Sequence, residues 1–112
     1  MRGGPRLTAE FWVRAYLARL RLADIPAFVT ARGDPEAGAV AVKLATLDGR
    51  AQAFGRVNDG SGARVWHVTA DGPDGEVDAA LARARRFDPD LWIVEVEDRA
   101  GRHLLGEEGL AD

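Results

Sequence analysis

The chain has 112 residues, of which 46% are hydrophobic and none is cysteine, and its net charge is −3. This length and composition are typical of one globular domain, and they exclude a long disordered chain and a second hydrophobic core. The absence of cysteine excludes disulfides, thiolate nucleophiles, iron–sulfur clusters and zinc ribbons. We therefore predict one domain over residues 1–106, followed by an acidic tail, 107–112, that frays.

Charge is distributed unevenly along the chain. Residues 1–32 carry six arginines against two acids, whereas residues 71–112 carry five arginines against twelve acids. The acidic balance overall disfavours nucleic acid as a partner. Arg14, Arg19 and Arg21 interrupt the first apolar run, so the pattern predicts neither a targeting segment nor a membrane span or membrane partner, and the expected location is the cytoplasm.

Hydrophobic periodicity predicts the order of helices and strands. Apolar residues at helical spacing predict a first helix from Thr8 to Ala23, with Thr8 as its N-cap. Period-two alternation then predicts strands over Ala27–Arg32, Ala39–Leu47, Arg50–Val57 and Ala63–Ala70. The remaining elements are a helix over Glu76–Phe87, a strand over Asp90–Asp98 and a short final strand over Arg102–Leu105.

Turn residues refine this prediction. Asp48-Gly49 between two alternating runs is typical of a two-residue type I′ hairpin. Gly55 within a strand indicates a bulge or a close backbone approach. The resulting fold class is α+β in the order α-β-β-β-β-α-β-(β), with the first four strands forming an antiparallel meander. We expect a mostly antiparallel sheet with both helices packed on one face.

Two segments resemble a known family. Arg32 to Lys43, with the sequence RGDPEAGAVAVK, and Arg86 to Asp98, with the sequence RFDPDLWIVEVED, resemble a family of short bacterial proteins classed as a domain of unknown function. The resemblance implies a small, cytoplasmic, single-domain protein. It implies no reaction, cofactor or catalytic residue.

The sequence lacks the residue patterns of several common catalytic and metal-binding sites. Ser61 is the only serine, and it lies in a Gly-Ser-Gly turn that lacks both the hydrolase elbow and the phosphate-loop spacing. His67 and His103 lack the spacing of a metal-binding pair. A group of acids near the second helix resembles a calcium loop only loosely, and helix-dipole compensation explains it better: Asp71, Asp74, Glu76 and Asp78. No cofactor is expected.

One group of residues allows an enzymatic alternative. Glu95 and Glu97 project from one side of a predicted strand, Lys43 projects from another, and the Asp34 turn leads into the Lys43 strand. Asp34, Glu95 and Glu97 could then hold a divalent metal, with Lys43 beside it, as in a phosphoesterase or a nuclease-like enzyme. The position two residues before the lysine is Ala41 rather than an acid, and cross-strand charge pairing explains these residues more simply.

Three tryptophans, Trp12, Trp66 and Trp92, fall at expected core positions, and any that is exposed would be a good interface anchor. The favoured hypothesis is therefore a non-enzymatic protein-interaction module that forms a homodimer or binds a protein partner of unknown identity. The expected contact surface is an exposed sheet edge or the first helix.

Overall fold

The computed structural model describes residues 7–58, 60–61 and 64–111. Its two helices and five strands are α1 (Ala9–Leu22), β1 (Ala27–Ala31), β2 (Val40–Ala45), β3 (Arg50–Asn58), β4 (Arg64–Pro73), α2 (Asp74–Phe87) and β5 (Trp92–Glu97). The α+β class and the order α-β-β-β-β-α-β are confirmed. The ends of the predicted single domain and acidic tail (1–6 and 112), and positions 59, 62 and 63 at the predicted turn and fourth strand, lie outside the described residues.

The sheet is mixed, with the strand order β1-β5-β2-β3-β4. Three neighbouring pairs are antiparallel, and β2 runs parallel to β5. The predicted meander is correct for β2, β3 and β4 but wrong for β1, which pairs with β5. The reason is burial: Val94 and Val96 of β5 are fully buried, and a strand this apolar is most stable at an inner position of the sheet.

The two helices lie on opposite faces of the sheet, which corrects the expectation that both cover one face. α1 packs on the face that carries Val42, Leu44 and Val94. α2 packs on the other face, on Ala41, Ala51 and Ala53. Cross-strand charge pairing with only one helix-covered face would leave the Lys43 side of β2 open to solvent, whereas every residue of β2 is buried.

Helix starts are set by capping and by neighbouring loops. The Thr8 hydroxyl accepts a hydrogen bond from the Phe11 N–H at 3.2 Å, which confirms the predicted N-cap of α1. The N–H groups of Ala9 and Glu10 have no acceptor within the helix, and they donate instead to the carbonyl oxygens of Glu36 and Pro35. α2 begins two residues before the prediction, and its Asp74 N–H bonds to the Gly49 carbonyl.

The turns differ from the sequence prediction in detail. The Thr46 N–H donates to the Arg50 carbonyl, so three residues, 47–49, rather than two lie within the hydrogen-bonded turn between β2 and β3. Leu47 and Gly49 have positive φ, whereas a type I′ turn requires it at Asp48 as well. The irregularity expected near Gly55 is present, because the β3–β4 register shifts between Ala53 and Phe54 and leaves Thr69 as an extra residue on β4.

The C-terminal segment follows β5 without forming the predicted strand over Arg102–Leu105. The Asp98 carboxylate accepts bonds from the Arg102 N–H and guanidinium, which closes a turn instead. Leu105 and Leu110 are both 1% exposed and pack on the α1 side of the sheet. Residues 107–111, assigned by the sequence to the tail, thus contribute Leu110 to the core, and Glu107 pairs with Arg19 at 3.0 Å.

No helix among the described residues is long and apolar enough to span a membrane.

Candidate functional site

A buried lysine lies between the sheet and α2. The Lys43 side chain is only 4% exposed, and its ammonium lies 2.9 Å from an oxygen of Asp74, 2.9 Å from one of Asp78 and 3.6 Å from one of Glu95. A buried charge is tolerated only when it is paired, and three carboxylates surround this one.

Local structure explains how these four residues meet. Asp74 and Asp78 are four residues apart on α2 and therefore share one side of the helix. The parallel register of β2 and β5 places Glu95 directly beside Lys43. The grouping of Lys43 with Glu95 was predicted from the strand pattern, whereas Asp74 and Asp78 were assigned to compensation of the helix dipole alone. Two features of the sequence could have identified them as partners of Lys43: their i, i+4 spacing on one helix and the presence of a single lysine in the chain.

The electrostatics keep this lysine protonated. Burial acts to lower the pKa of Lys43, but hydrogen bonds to Asp78 and Asp74 and the charge of Glu95 outweigh it, so the pKa is raised. Burial raises the pKa of Glu95, against the attraction of Lys43. An amine nucleophile or general base needs a lowered pKa, so this environment favours an ion-paired cation over a reactive amine.

The enzymatic alternative required Asp34 and Glu97 to join Lys43 and Glu95. The Asp34 carboxylate instead accepts the N–H groups of Glu36 and Ala37, and so closes its own turn. The Asp34 N–H bonds to the carbonyl of Asp90, which precedes β5, whereas Glu95 lies within that strand beside Lys43. Glu97 lies beside Ala45. Within the described ranges, no group of three or more histidines or acids could hold a metal ion.

An open groove lies along the C-terminal half of α2. It is lined by Ala82, Arg85 and Arg86 of the helix and by Ile93 of β5. Arg85 donates to the carbonyl oxygens of Leu91, Arg32 and Pro89, which fixes the end of α2 to the neighbouring loops. The α2 wall of the groove therefore carries two arginines.

One strip of the sheet is left uncovered on this side. α2 packs over β3 and β4 and contacts β2, and its buried residues reach Ile93 of β5, whereas Phe28 and Thr30 on the β1 edge are exposed. The uncovered strip carries Phe28 of β1, which is paired with Glu95 and is 45% exposed. β1 forms an edge of the sheet, because β5 is its only neighbour in the strand order.

The tryptophans mainly build the core. Trp12 and Trp92 are 3% and 1% exposed, whereas Trp66 is partly buried against the same cluster. Arg56 lies between Trp12 and Trp66, with its guanidinium carbon 4.8 Å from each ring centre. Arg32 stacks on Trp92 at 4.9 Å. None of the three tryptophans is largely exposed, so Phe28 is a better candidate anchor than any of them.

A family model and several solved structures match this chain. The family model described as "Protein of unknown function (DUF1491)" matches residues 7–106. No curated protein matches the chain.

Solved structures similar to this chain include the following three. A crystal structure of a DUF1491 family protein from Caulobacter crescentus CB15 is 39% identical, with a TM-score of 0.81, and the match covers 90% of this chain and 94% of that one. An NMR structure of a DUF1491 family protein from the same organism is 40% identical, with a TM-score of 0.81 and coverage of 93% and 96%. The solution structure of protein Atu0922 from A. tumefaciens is 33% identical, with a TM-score of 0.71 and coverage of 83% and 86%.

Proposed function

The chain belongs to the DUF1491 family of proteins of unknown function, and we propose that it acts as a cytoplasmic, bacterial protein-interaction module without enzymatic activity. We propose further that it assembles as a homodimer through the β1 edge of its sheet. The exposed, uncharged edge strand β1 is the observation on which this proposal rests.

The chemistry of the buried cluster supports a structural role for Lys43. Its ammonium is held by three carboxylates and its pKa is raised. A group in this state is a poor nucleophile or base. The cluster instead joins α2 to the sheet, and thereby fixes the wall of the groove beside the uncovered strip.

The two edges of the sheet differ in their protection. Natural edge strands are usually protected by charges, prolines or bulges. β4 contains Arg64 and Asp71, ends at Pro73 and carries the bulge at Thr69. β1 is Ala-Phe-Val-Thr-Ala, with one irregularity after Val29 and no charged residue. β1 is thus the edge better suited to pair with another strand.

The residues around β1 are complementary to themselves. Phe28 lies near the middle of the five-residue strand and is exposed. Two copies paired antiparallel about Phe28 would bring the two Phe28 rings together. A two-fold contact requires this self-complementarity, and cross-strand aromatic pairs are favourable.

The test is a measurement of molar mass by light scattering during gel filtration, over a range of protein concentrations. The wild-type chain should approach twice its 12.1 kDa mass. Phe28→Lys should shift the dimer dissociation constant upward by about tenfold or more, because a lysine on an edge strand blocks pairing. Glu95 beside position 28 gives the new charge a partner, so the monomer should remain folded by circular dichroism.

Val68→Lys is the matched control, because Val68 is 49% exposed on the opposite edge strand. It should dimerise as the wild type does. A wild-type chain that stays monomeric at millimolar concentration would contradict the homodimer, and a dimer weakened by Val68→Lys but not by Phe28→Lys would assign the contact to β4.

A further inference from the structure

The outward side of α1 carries a second apolar stripe, separate from the face buried in the core. Phe11, Ala15, Ala18 and Leu22 recur at alternating intervals of four and three residues. Phe11 is 56% exposed and Leu22 is 85% exposed. This interval is the one at which a helix presents a continuous seam to another helix.

The stripe has a shape that suits a helix. The whole stripe is about three turns, or roughly 17 Å, long, with large residues at its two ends and two alanines between them that form a shallow centre. Small residues at the centre allow a second helix to approach closely. A helix that lies on a membrane would carry bulky apolar residues along its whole length instead.

The charges beside the stripe indicate which helix it would bind. Arg14 and Arg21 are exposed on one flank, and neither has a hydrogen bond or an ion pair within the described part of the chain. Arg19, on the other flank, pairs with Glu107. Two copies of α1 would bring arginine toward arginine, so the charges oppose self-association here and complement an acidic partner.

We propose that the outward stripe of α1 docks an acidic amphipathic helix of another protein. The apolar residues of that helix would cover Ala15 and Ala18 between Phe11 and Leu22, and its flanking carboxylates would pair with Arg14 and Arg21. This surface is on the opposite side of the sheet from α2, and it does not depend on the homodimer.

Two designed helical peptides test the proposal. Both carry leucine at the seam positions, and they differ only in having glutamate or lysine at every flanking position. Binding is followed by chemical-shift changes of the ¹⁵N-labelled protein. The glutamate peptide should bind about tenfold more tightly than the lysine peptide at low salt, with the shifts confined to α1.

Three variants separate the contributions. The double variant Arg14→Glu with Arg21→Glu should reverse the preference, so that the lysine peptide binds more tightly. Phe11→Ser with Leu22→Ser should abolish binding of both peptides while the fold is retained, because both side chains are exposed. Arg83→Glu with Arg86→Glu, a matched pair of exposed arginines on α2, should leave the preference unchanged.

The following results would overturn the proposal. Neither peptide binds at millimolar concentration, both bind equally, or the α2 pair changes the preference as much as the α1 pair does. Binding of α1 to vesicles of phosphatidylcholine and phosphatidylglycerol in preference to the glutamate peptide would assign the stripe to a membrane surface. Phe28→Lys should not alter peptide binding, so this test and the dimer test can fail separately.

Discussion

The two faces of the same sheet are built in different ways. On the α1 face, large side chains fill the space between helix and strands, among them Trp12, Tyr16, Leu20 and Trp92. On the α2 face the strands present mainly alanines, and Val77 and Leu81 are the buried residues of the helix. Alanine buries little apolar area, so the α1 face should contribute most of the hydrophobic stabilisation.

The α2 face compensates with charge. Lys43 and its three carboxylates lie where the α1 face has apolar side chains, and the groove and the uncovered strip lie beside them. The α1 face therefore supplies most of the apolar packing that stabilises the fold. The α2 face is more polar and is partly open to solvent. Experiments that change one face at a time can test this division.

The largest expected effect comes from leucine truncation on the α1 face. Leu20 of α1 is fully buried and Leu81 of α2 is 6% exposed, and both are helical, so Leu→Ala changes the same chemistry in each. We expect Leu20→Ala to lower the free energy of unfolding by about 4 kcal/mol and Leu81→Ala by about 2.5 kcal/mol. Urea denaturation measures both. Equal losses, or a larger loss for Leu81→Ala, would refute the proposed division.

The sequence predicted one face far better than the other. Trp12, Tyr16 and Leu20 recur at helical spacing, and Thr8 caps the helix, so α1 could be predicted from local patterns alone. The class and order of elements were also predictable for this reason. The parallel pairing of β2 with β5 was not, because no local signal records which strands become neighbours when their partners are more than 40 residues apart.

The arrangement of the α2 face depended on that long-range pairing. Alternation in β2 placed Lys43 away from Val42 and Leu44, which was correct, but a lone lysine on an alternating strand indicates a solvated face. Only the position of α2 above it makes Lys43 buried. The three-dimensional position of Asp34 could not be predicted from the sequence either. Its place in the chain is compatible with the metal hypothesis, but its carboxylate closes a local turn.

The second prediction concerns that lysine. Lys43→Met keeps much of the side-chain volume but leaves three carboxylates without their counter-charge. Because those carboxylates are partly exposed, we expect a loss of about 2 kcal/mol rather than the larger cost of a fully buried pair. This corresponds to a melting temperature lower by about 10 °C. Arg50→Met is the control, because the Arg50–Asp71 pair is exposed and should contribute less than about 1 kcal/mol.

The same ion pairs predict how the free energy of unfolding changes with pH. The raised pKa of Lys43 means that the folded state holds the proton more tightly than the unfolded state. The stability that results is present below the ordinary lysine value of 10.5 and is lost as the pH rises through the folded-state pKa. Wild type should therefore lose stability in strong base more steeply than Lys43→Met. Identical slopes would show that the ion pairs add nothing to the stability of the α2 face.

The smallest expected effect on stability comes from His103 on the α1 face, where protonation of the side chain is unfavourable. His103 packs against Phe54 with ring centres 4.7 Å apart, and its Nδ1 accepts the Leu105 N–H at 3.0 Å. Burial lowers the pKa of His103, so the unfolded state takes up the proton first as the pH falls. Stability should decrease from near the ordinary histidine value of 6.5 down to the lowered folded-state pKa.

His103→Asn tests this contribution, because an asparagine oxygen can accept the Leu105 N–H but does not titrate. Its unfolding free energy should vary less than that of wild type between about pH 7 and about pH 5. His67→Asn, at an exposed position on β4, is the matched substitution measured beside it. If His103→Asn kept the full slope, the acid sensitivity would arise elsewhere. Protonation weakens the α1 face at His103, whereas the α2 face holds a protonated lysine as part of its packing, and the opposite signs of these two effects are the most direct measure of how the faces differ.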